Sequence, residues 1–396
     1  MLTPKKPKLP TVNKQHAYKA GYTPRKHDDF PDTDIDGHPA DVITLDTTNF
    51  DKILGPGDTE VQQAMETLDE ITLNQVAPGL FNICGFPNRV DSLLSFDDGT
   101  RTFTLTPITS FDYYIGNIKY TINTTKTVII TDTQGLWWFY LDTAGVLYAS
   151  QVRPSRETYC WVGTVYWQAT YDWGEEADER HGIIMDISTQ SHLHNSIGTQ
   201  YYSGLDISGY VLDDSANDTS IQVGISSGVI ADEDIRLSIV SDTTPTNPYE
   251  QNLVDPAQIP VWYLEGAGIW TKDTATDYFI KNTAAGRVNY NELVAGTWQQ
   301  TQANSTNFVA YWIVATNHQS ETIISIQGQR ADGALGAAQT NNQWGSLLLY
   351  DLPALELRPL YRVIFQTATG YTNTRKARIR EIQDIRTDSN RARVII

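Results

Sequence analysis

The pattern that most limits how this chain folds lies in residues 96–150. There, short β-branched and aromatic runs alternate with turn residues at intervals of about eight to twelve. Residues 102–106 alternate strictly, with Phe103 and Leu105 on one face. Residues 113–122 repeat the pattern and break at Gly116-Asn117. Residues 127–131 are β-branched, Gly135 opens the run 136–141, and Thr143-Ala144-Gly145 turns the chain into 146–149. A two-residue period with turns at this spacing specifies antiparallel sheet, closed as a sandwich or small barrel. It leaves no room for a helix of ordinary length.

The rest of the composition agrees. With 396 residues the chain is long enough for two or three domains of ordinary size. Its aromatic content is 11%, led by 21 Tyr and 10 Trp, and only 19% of residues are charged, a balance that favours strands over helix bundles. No apolar run reaches the roughly 18–20 residues of a membrane span. The opening MLTPKKPKLP has no apolar core of the kind a secretory signal needs. A net charge of −18 argues against nucleic acid as a partner. Cys84 and Cys160 allow one disulfide at most and are read as two reduced, buried thiols.

Taken in order, residues 1–56 read as an extended docking arm. Its first 26 residues carry Lys5, Lys6, Lys8, Lys14, Lys19, Arg25 and Lys26 and no acid. Such a segment buries too little apolar surface to fold by itself. It is either a disordered tail or an arm that orders on an acidic partner, with Tyr18 and Tyr22 as anchors. Residues 57–75 read as one short helix. Thr59-x-x-Gln62 matches a capping box, and Val61, Met65 and Leu68 form a narrow apolar stripe suited to an oligomer seam.

Residues 76–200 are expected to form a first β-sandwich domain with a junction. In residues 158–169 aromatics fall on alternate positions, and Gly163 shifts the phase. The aromatics Trp137, Tyr140, Trp161 and Trp173 cannot all face one core. Those left over are either an interface or a platform that stacks on sugar rings. Residues 174–200 hold a His-rich acidic patch: Glu175, Glu176, Asp178, Glu179, His181, Asp186, His192 and His194. A His-x-His pair on a strand beside a carboxylate is metal-ligand chemistry. No Cys lies close, however, and His181 stands at no short ligand spacing. The patch is therefore read as solvated loop and polar interface, with no metal ligand and no cofactor. Ser188 and Ser191 near His192 lack the Gly-x-Ser-x-Gly elbow of a hydrolase.

Residues 201–300 are expected to form a second β-domain, with strands at 209–212, 220–225, 236–240, 261–264, 268–272 and 278–280. The acidic run Asp232-Glu233-Asp234 lacks the glycine and the alternating oxygen ligands of a calcium loop. Residues 301–396 are expected to form a C-terminal β-domain, with strands at 308–315, 322–328, 347–352 and 361–366, and Pro359 placing the last of them at a sheet edge. Its basic tail, with Arg375, Lys376, Arg378, Arg380, Arg386, Arg391 and Arg393, is read as a clamp on the acidic body.

Several stretches resemble bacteriophage virion structural proteins of the tail-fibre, baseplate and head-fibre type. They are the strand-rich block 96–150, the Val61-Gln62 to Leu68-Asp69 run, and Glu179-Arg180-His181-Gly182-Ile183 with Leu193-His194. The run LRPLYRVIF (357–365), followed by Tyr371, Asn373, Ala377, Ile379, Asp384 and Arg386, completes the set. The resemblance implies a mainly β protein of two or three antiparallel β-sandwich modules. It implies a homotrimer docked to other virion proteins through its N-terminal arm, folded in a host bacterial cytoplasm and without catalytic residues. In the resembling proteins the junction motif is structural. A host surface glycan is the further partner this class suggests. A depolymerase would need paired carboxylates or a β-helix repeat, and neither stands out.

Overall fold

The computed structural model describes residues 82–283 and 286–388. The arm with Lys5, Lys6, Lys8, Lys14, Tyr18 and Tyr22, the helix with Val61, Met65 and Leu68, and the end of the tail with Arg391 and Arg393 lie outside these residues.

Alternation builds the first module. β1 (Ser92–Asp97), β2 (Thr102–Pro107), β3 (Phe111–Ile115), β4 (Ile118–Ile122), β5 (Lys126–Ile129), β6 (Gly135–Leu141), β7 (Leu147–Ser150), β8 (Cys160–Gln168) and β9 (Trp173–Asp178) follow one another. They form the antiparallel sheets β1-β2-β5 and β7-β6-β8-β9 and the hairpin β3-β4. Gly116 and Asn117 both take positive φ in the tight hairpin turn, the conformation a two-residue connection of this hand requires. Phe103 of β2 stacks on Phe139 of β6 with ring centroids 3.9 Å apart, so the two sheets pack face to face as a sandwich.

β8 is buried along its whole length. A register shift opposite Phe139/Tyr140 changes its phase near Gly163. Cys160, Val162, Val165 and Trp167 therefore enter the sandwich core, while Trp161 and Tyr166 join other clusters. Gly163 is needed there because a Cβ would lie 2.7 Å from the Ala177 carbonyl of β9. Cys84 and Cys160 are both free thiols in this core.

After α1 (Ile187–Ser196), the chain enters β10 (Gln200–Gly204), β11 (Ile207–Ser208), β12 (Gly224–Ile225), β13 (Gly228–Asp232), β14 (Ile235–Ser241) and β15 (Glu250–Gln251). It continues through β16 (Val261–Glu265), β17 (Ile269–Lys272), β18 (Asn289–Val294), β19 (Thr297–Gln302), β20 (Phe308–Thr316) and β21 (Ile323–Asp332). The short helix α2 (Leu335–Asn341) and strands β22 (Leu357–Thr367) and β23 (Ala377–Asp384) complete it. The principal sheet has the order β17-β16-β21-β20-β22-β23.

This sheet corrects the expected boundary at residue 300, because β16 pairs with β21 across it. The cores are shared as well. One face of the sheet, with Val309, Tyr311, Ile313, Val363 and Phe365, packs against Leu205, Ile230, Leu237 and Ile239. The other, with Trp262, Trp312, Val314 and Ile364, takes Trp344, Leu347, Leu349 and Tyr166 of the first module. Residues 201–300 and 301–396 thus form one module. With both faces covered, β20 reads as a continuous apolar run rather than an alternating one, and β22 is buried almost throughout although it carries Arg358 and Arg362.

Other differences have local causes. Pro359 lies in a strand flanked by β20 and β23, not at an edge. It sits beside the register shift where Ile313 pairs with Tyr361 and Val314 with Pro359, and before Tyr361, the first β22 residue with a partner in β23, so no β23 partner needs its missing N–H. Residues 347–352 form no strand. The sheets are antiparallel except for the β16–β21 and β14–β15 pairs. The basic tail does act as an intramolecular clamp where it is described: Arg380 meets Asp213 at 2.6 Å and Arg386 meets Asp206 at 2.7 Å. Among the described residues no helix is long and apolar enough to cross a membrane.

Gly163→Ala is expected to lower stability by about 1–3 kcal/mol by overpacking β8 against β9. Gly345→Ala, where an added Cβ meets nothing within 4 Å, is expected to stay within about 0.5 kcal/mol. Urea unfolding of both variants checks the pair.

Candidate functional site: a buried acid–histidine cluster at the module seam

The two modules meet along β9. Gln319 N–H donates to the Glu176 carbonyl at 3.0 Å, and Ala177 bridges His318. Around this backbone contact the seam is charged. Lys272 Nζ lies 2.7 Å from Glu175 and 2.6 Å from Glu321, and Ser320 Oγ donates to Glu175 at 3.0 Å. Asn317 Nδ2 donates to Glu179 Oε1 at 2.9 Å.

The junction run 179–182 is pinned residue by residue. Arg180 forms a two-pronged pair with Asp178, at 2.8 and 2.7 Å, and donates to the Ser92 carbonyl at 2.6 Å. His181 Nδ1 lies 3.0 Å from Asp234 Oδ1. Gly182 leaves space for that carboxylate, since a Cβ there would lie 2.6 Å from Asp234 Oδ2. Glu175, Asp178, Glu179, Arg180 and His181 are all buried. The solvated-loop reading of this patch is therefore corrected. The charges tolerate burial because each has a partner contributed by a distant stretch of chain.

Behind His181 the acids converge. Its Nε2 faces Glu179 Oε2 at 3.8 Å, Asp232 Oδ2 at 3.7 Å and Glu233 Oε2 at 3.7 Å. Beyond Glu233, His194 Nδ1 lies 3.6 Å from Glu233 Oε1 and 2.8 Å from Glu356 Oε1. Thr199 Oγ1 donates to the other Glu356 oxygen at 2.8 Å.

Each group arrives on a different element. His194 comes from α1, a helix where solvated loop was expected. The Asp186 carboxylate caps α1 by accepting from the N–H groups of Ser188 and Thr189, at 2.9 and 3.0 Å. On a helix, residues two apart point to opposite sides, so His194 reaches the cluster while His192 is exposed. Asp232 ends β13, where it pairs with Ile235, and Glu233 and Asp234 form the two-residue turn into β14. Glu233 holds a positive φ of 39° there, a left-handed position that glycine usually fills. Glu356 immediately precedes β22.

Burial and charge set the protonation. Burial alone would depress the His181 imidazolium. The hydrogen bond to Asp234 and the neighbouring Glu179 outweigh it and lift the group to about 9. Hydrogen bonds to Glu233 and Glu356 lift His194 to about 10 against burial. Burial, with Glu356 and Glu233 alongside, pushes Asp232 well up. Asp232 Oδ1 is buried with no hydrogen-bond partner. Arg156 stands nearby, with its guanidinium on Gln190 Oε1 and directed at the Cys84 carbonyl.

Two donor sets have the composition of a cation site: His181 with Asp232 and Glu233, and His194 with Asp232 and Glu356. In each set the donor atoms lie within 4.8 Å of one another. His181, His194 and the 232–234 run were visible in the sequence but lay in what were read as separate domains. Glu356 gave no signal, because its role depends on the strand that follows it.

The aromatic candidates are covered by the chain itself. Trp137 packs in the sandwich core, and Trp161 is buried with Trp138 and Leu355. Trp173 sits edge-on to Trp262 at 5.5 Å. Tyr140 is half-buried between Tyr159 and Tyr148, at 4.7 and 5.8 Å. They are an interface within one chain rather than an open sugar platform.

Comparison with protein-family models, with curated proteins and with solved structures finds no match to this chain. What the fold and the site define is a mainly β protein whose two modules are closed over a buried acid–histidine cluster.

A pH test of the seam follows from Glu176. Burial, then its neighbours Glu175 and Asp178, raise its carboxyl from 4.5 to about 7. Its Oε2 has no partner. A raised acid holds its proton longer in the folded state, so its contribution to stability falls as pH rises from about 4.5 to about 7. Glu176→Gln removes that loss. The variant is expected to exceed the wild type by about 1–2 kcal/mol at pH 8, allowing for partial solvent exposure. Urea unfolding at the two pH values should show the advantage vanish by pH 5.

Proposed function

We propose that this chain is a non-enzymatic structural component of a bacteriophage particle, of tail-fibre or baseplate type, which docks to other virion proteins through its basic N-terminal arm. A capsid-attached head fibre or decoration protein is the same reading at another position in the particle. The observation that carries it is the use made of the stretches that resemble such proteins. Residues 179–183 lie in the seam between the modules, where Glu179, Arg180 and His181 are bound by Asn317, Asp178 and Asp234. The run 357–365 is the buried strand β22 of the principal sheet. In both places the side chains serve framework rather than an accessible reaction centre. Two modules locked into one body suit a part that carries load within a larger assembly. Oligomerisation through unpaired sheet edges completes the reading. The full-length protein is expected to run in light-scattering chromatography at three times the 44.4 kDa chain mass. A monomer would contradict the trimeric form of the proposal.

A glycan-binding attachment role is the second reading, and one observation favours it. A groove of about 390 Å³ in the C-terminal module is lined by Tyr290, Glu292, Trp298, Gln329, Arg330 and Asn341. Aromatic rings beside planar amide, carboxylate and guanidinium groups match the alternating faces and hydroxyls of a sugar. Tyr290→Ala and Arg330→Ala are each expected to weaken retention on host cell envelopes at least tenfold. Envelopes that do not retain the wild type would remove this reading.

A further inference from the structure

The acid–histidine cluster carries an inference that does not depend on which assembly the protein joins. We propose that His181 Nε2, Asp232 and Glu233 bind one divalent first-row transition-metal ion, and that this ion clasps the two modules together.

Four observations converge on the site. His181 Nδ1 is committed to Asp234 at 3.0 Å, which leaves Nε2 as the free ring position. A carboxylate on one ring nitrogen is the usual outer-shell support of a metal-bound histidine, fixing its tautomer and orientation. Nε2 then faces three carboxylate oxygens at 3.7–3.8 Å. That is too long for hydrogen bonds. For Asp232 and Glu233 it is close to the spacing of atoms that share an ion: with bonds of about 2.0–2.2 Å, tetrahedral donors stand about 3.4 Å apart, and the donor atoms of His181, Asp232 and Glu233 all lie within 4.8 Å of one another.

The second observation is Asp232, which is 2% exposed and whose Oδ1 has no hydrogen-bond partner. Such an atom, removed from water, requires a proton or a cation. The third is the backbone at Glu233. A glutamate with φ of 39° in a two-residue hairpin turn is strained, and the strained turn delivers its carboxylate into the cluster. The fourth is charge. Glu179, Asp232, Glu233, Asp234 and Glu356 gather around His181, His194 and Arg156, and a divalent ion supplies the balance that protons must otherwise supply.

The donor chemistry selects the ion. Oxygen-only sites suit Ca²⁺ and Mg²⁺, whereas an imidazole among carboxylates suits Zn²⁺, Mn²⁺ or Fe²⁺. The location sets its role. His181 follows β9 of the first module, while Asp232 ends β13 and Glu233 lies in the β13–β14 turn of the second. All three donor side chains are 2–3% exposed. An ion there has no accessible face for substrate and acts as a structural link.

The test uses the full chain, unfolded in chelator, refolded, and titrated with Zn²⁺ alone. The wild type is expected to retain about one equivalent through gel filtration, measured by plasma mass spectrometry, and to melt several degrees higher than the metal-free protein. His181→Asn keeps a donor toward Asp234 and removes the Nε2 ligand, so its retained metal should fall at least tenfold. Glu233→Gly removes a ligand while relieving the left-handed turn. It is expected to lose the metal and the metal-dependent rise in melting temperature, yet to be no less stable than the metal-free wild type. Should His181→Asn fail to fold, Glu233→Gly carries the comparison. The proposal is overturned if the wild type retains no Zn²⁺ and its melting is unchanged, or if Glu233→Gly retains as much as the wild type.

Discussion

The structure depends on charges that have been taken out of water between two β-modules. Lys272 with Glu175 and Glu321, Arg180 with the Ser92 carbonyl, Asn317 with Glu179 and His194 with Glu356 each join groups far apart in sequence. Desolvating such groups is costly, and pairing them only offsets the cost. What they contribute is specificity. A sliding or rotated arrangement of the modules would leave several buried charges unpaired at once, each at several kcal/mol. Apolar contact sets the strength of the seam, and the polar contacts set its geometry.

The apolar half comes from sheets covered on both faces. Trp138, Trp161 and Tyr166 leave the sandwich on its outer side and meet Leu355, Trp262 and Trp270 of the second module. The hydroxyl of Tyr166 and the amide of Gln168 both donate to the Trp270 carbonyl at 2.9 Å, which fixes the rings in register. The register shift near Gly163 makes this possible, because it lets one strand supply two cores. The same device recurs in the principal sheet. There Gly328 allows β21 to pass the Ala310 carbonyl closely, beside the shift between Val309 and Tyr311.

Legibility in the sequence followed the range of the interaction. Phe103 and Leu105, the Gly116-Asn117 turn and the phase change at Gly163 are local patterns, and each was readable. Where the outcome was set by distant chain, the pattern misled. Pro359 reads as an edge because a missing N–H normally demands one; the register shift that accommodates it depends on β20. Residues 187–196 read as part of a solvated loop, although Asp186 is a helix cap in plain view. The boundary at 300 could not anticipate the β16–β21 pairing, which joins strands some sixty residues apart. The cluster of His181, His194, Asp232, Glu233 and Glu356 was half visible, as an acidic histidine patch and an acidic run. No periodicity links residues so far apart, and Glu356 has no local signature at all.

If the seam joins the modules into one body, they must unfold together. Differential scanning calorimetry of the full chain tests this directly. A single transition whose calorimetric and van't Hoff enthalpies agree is the result expected of a locked pair. Two separated transitions, one for the strands of residues 92–178 and one for those of residues 200–384, would contradict it.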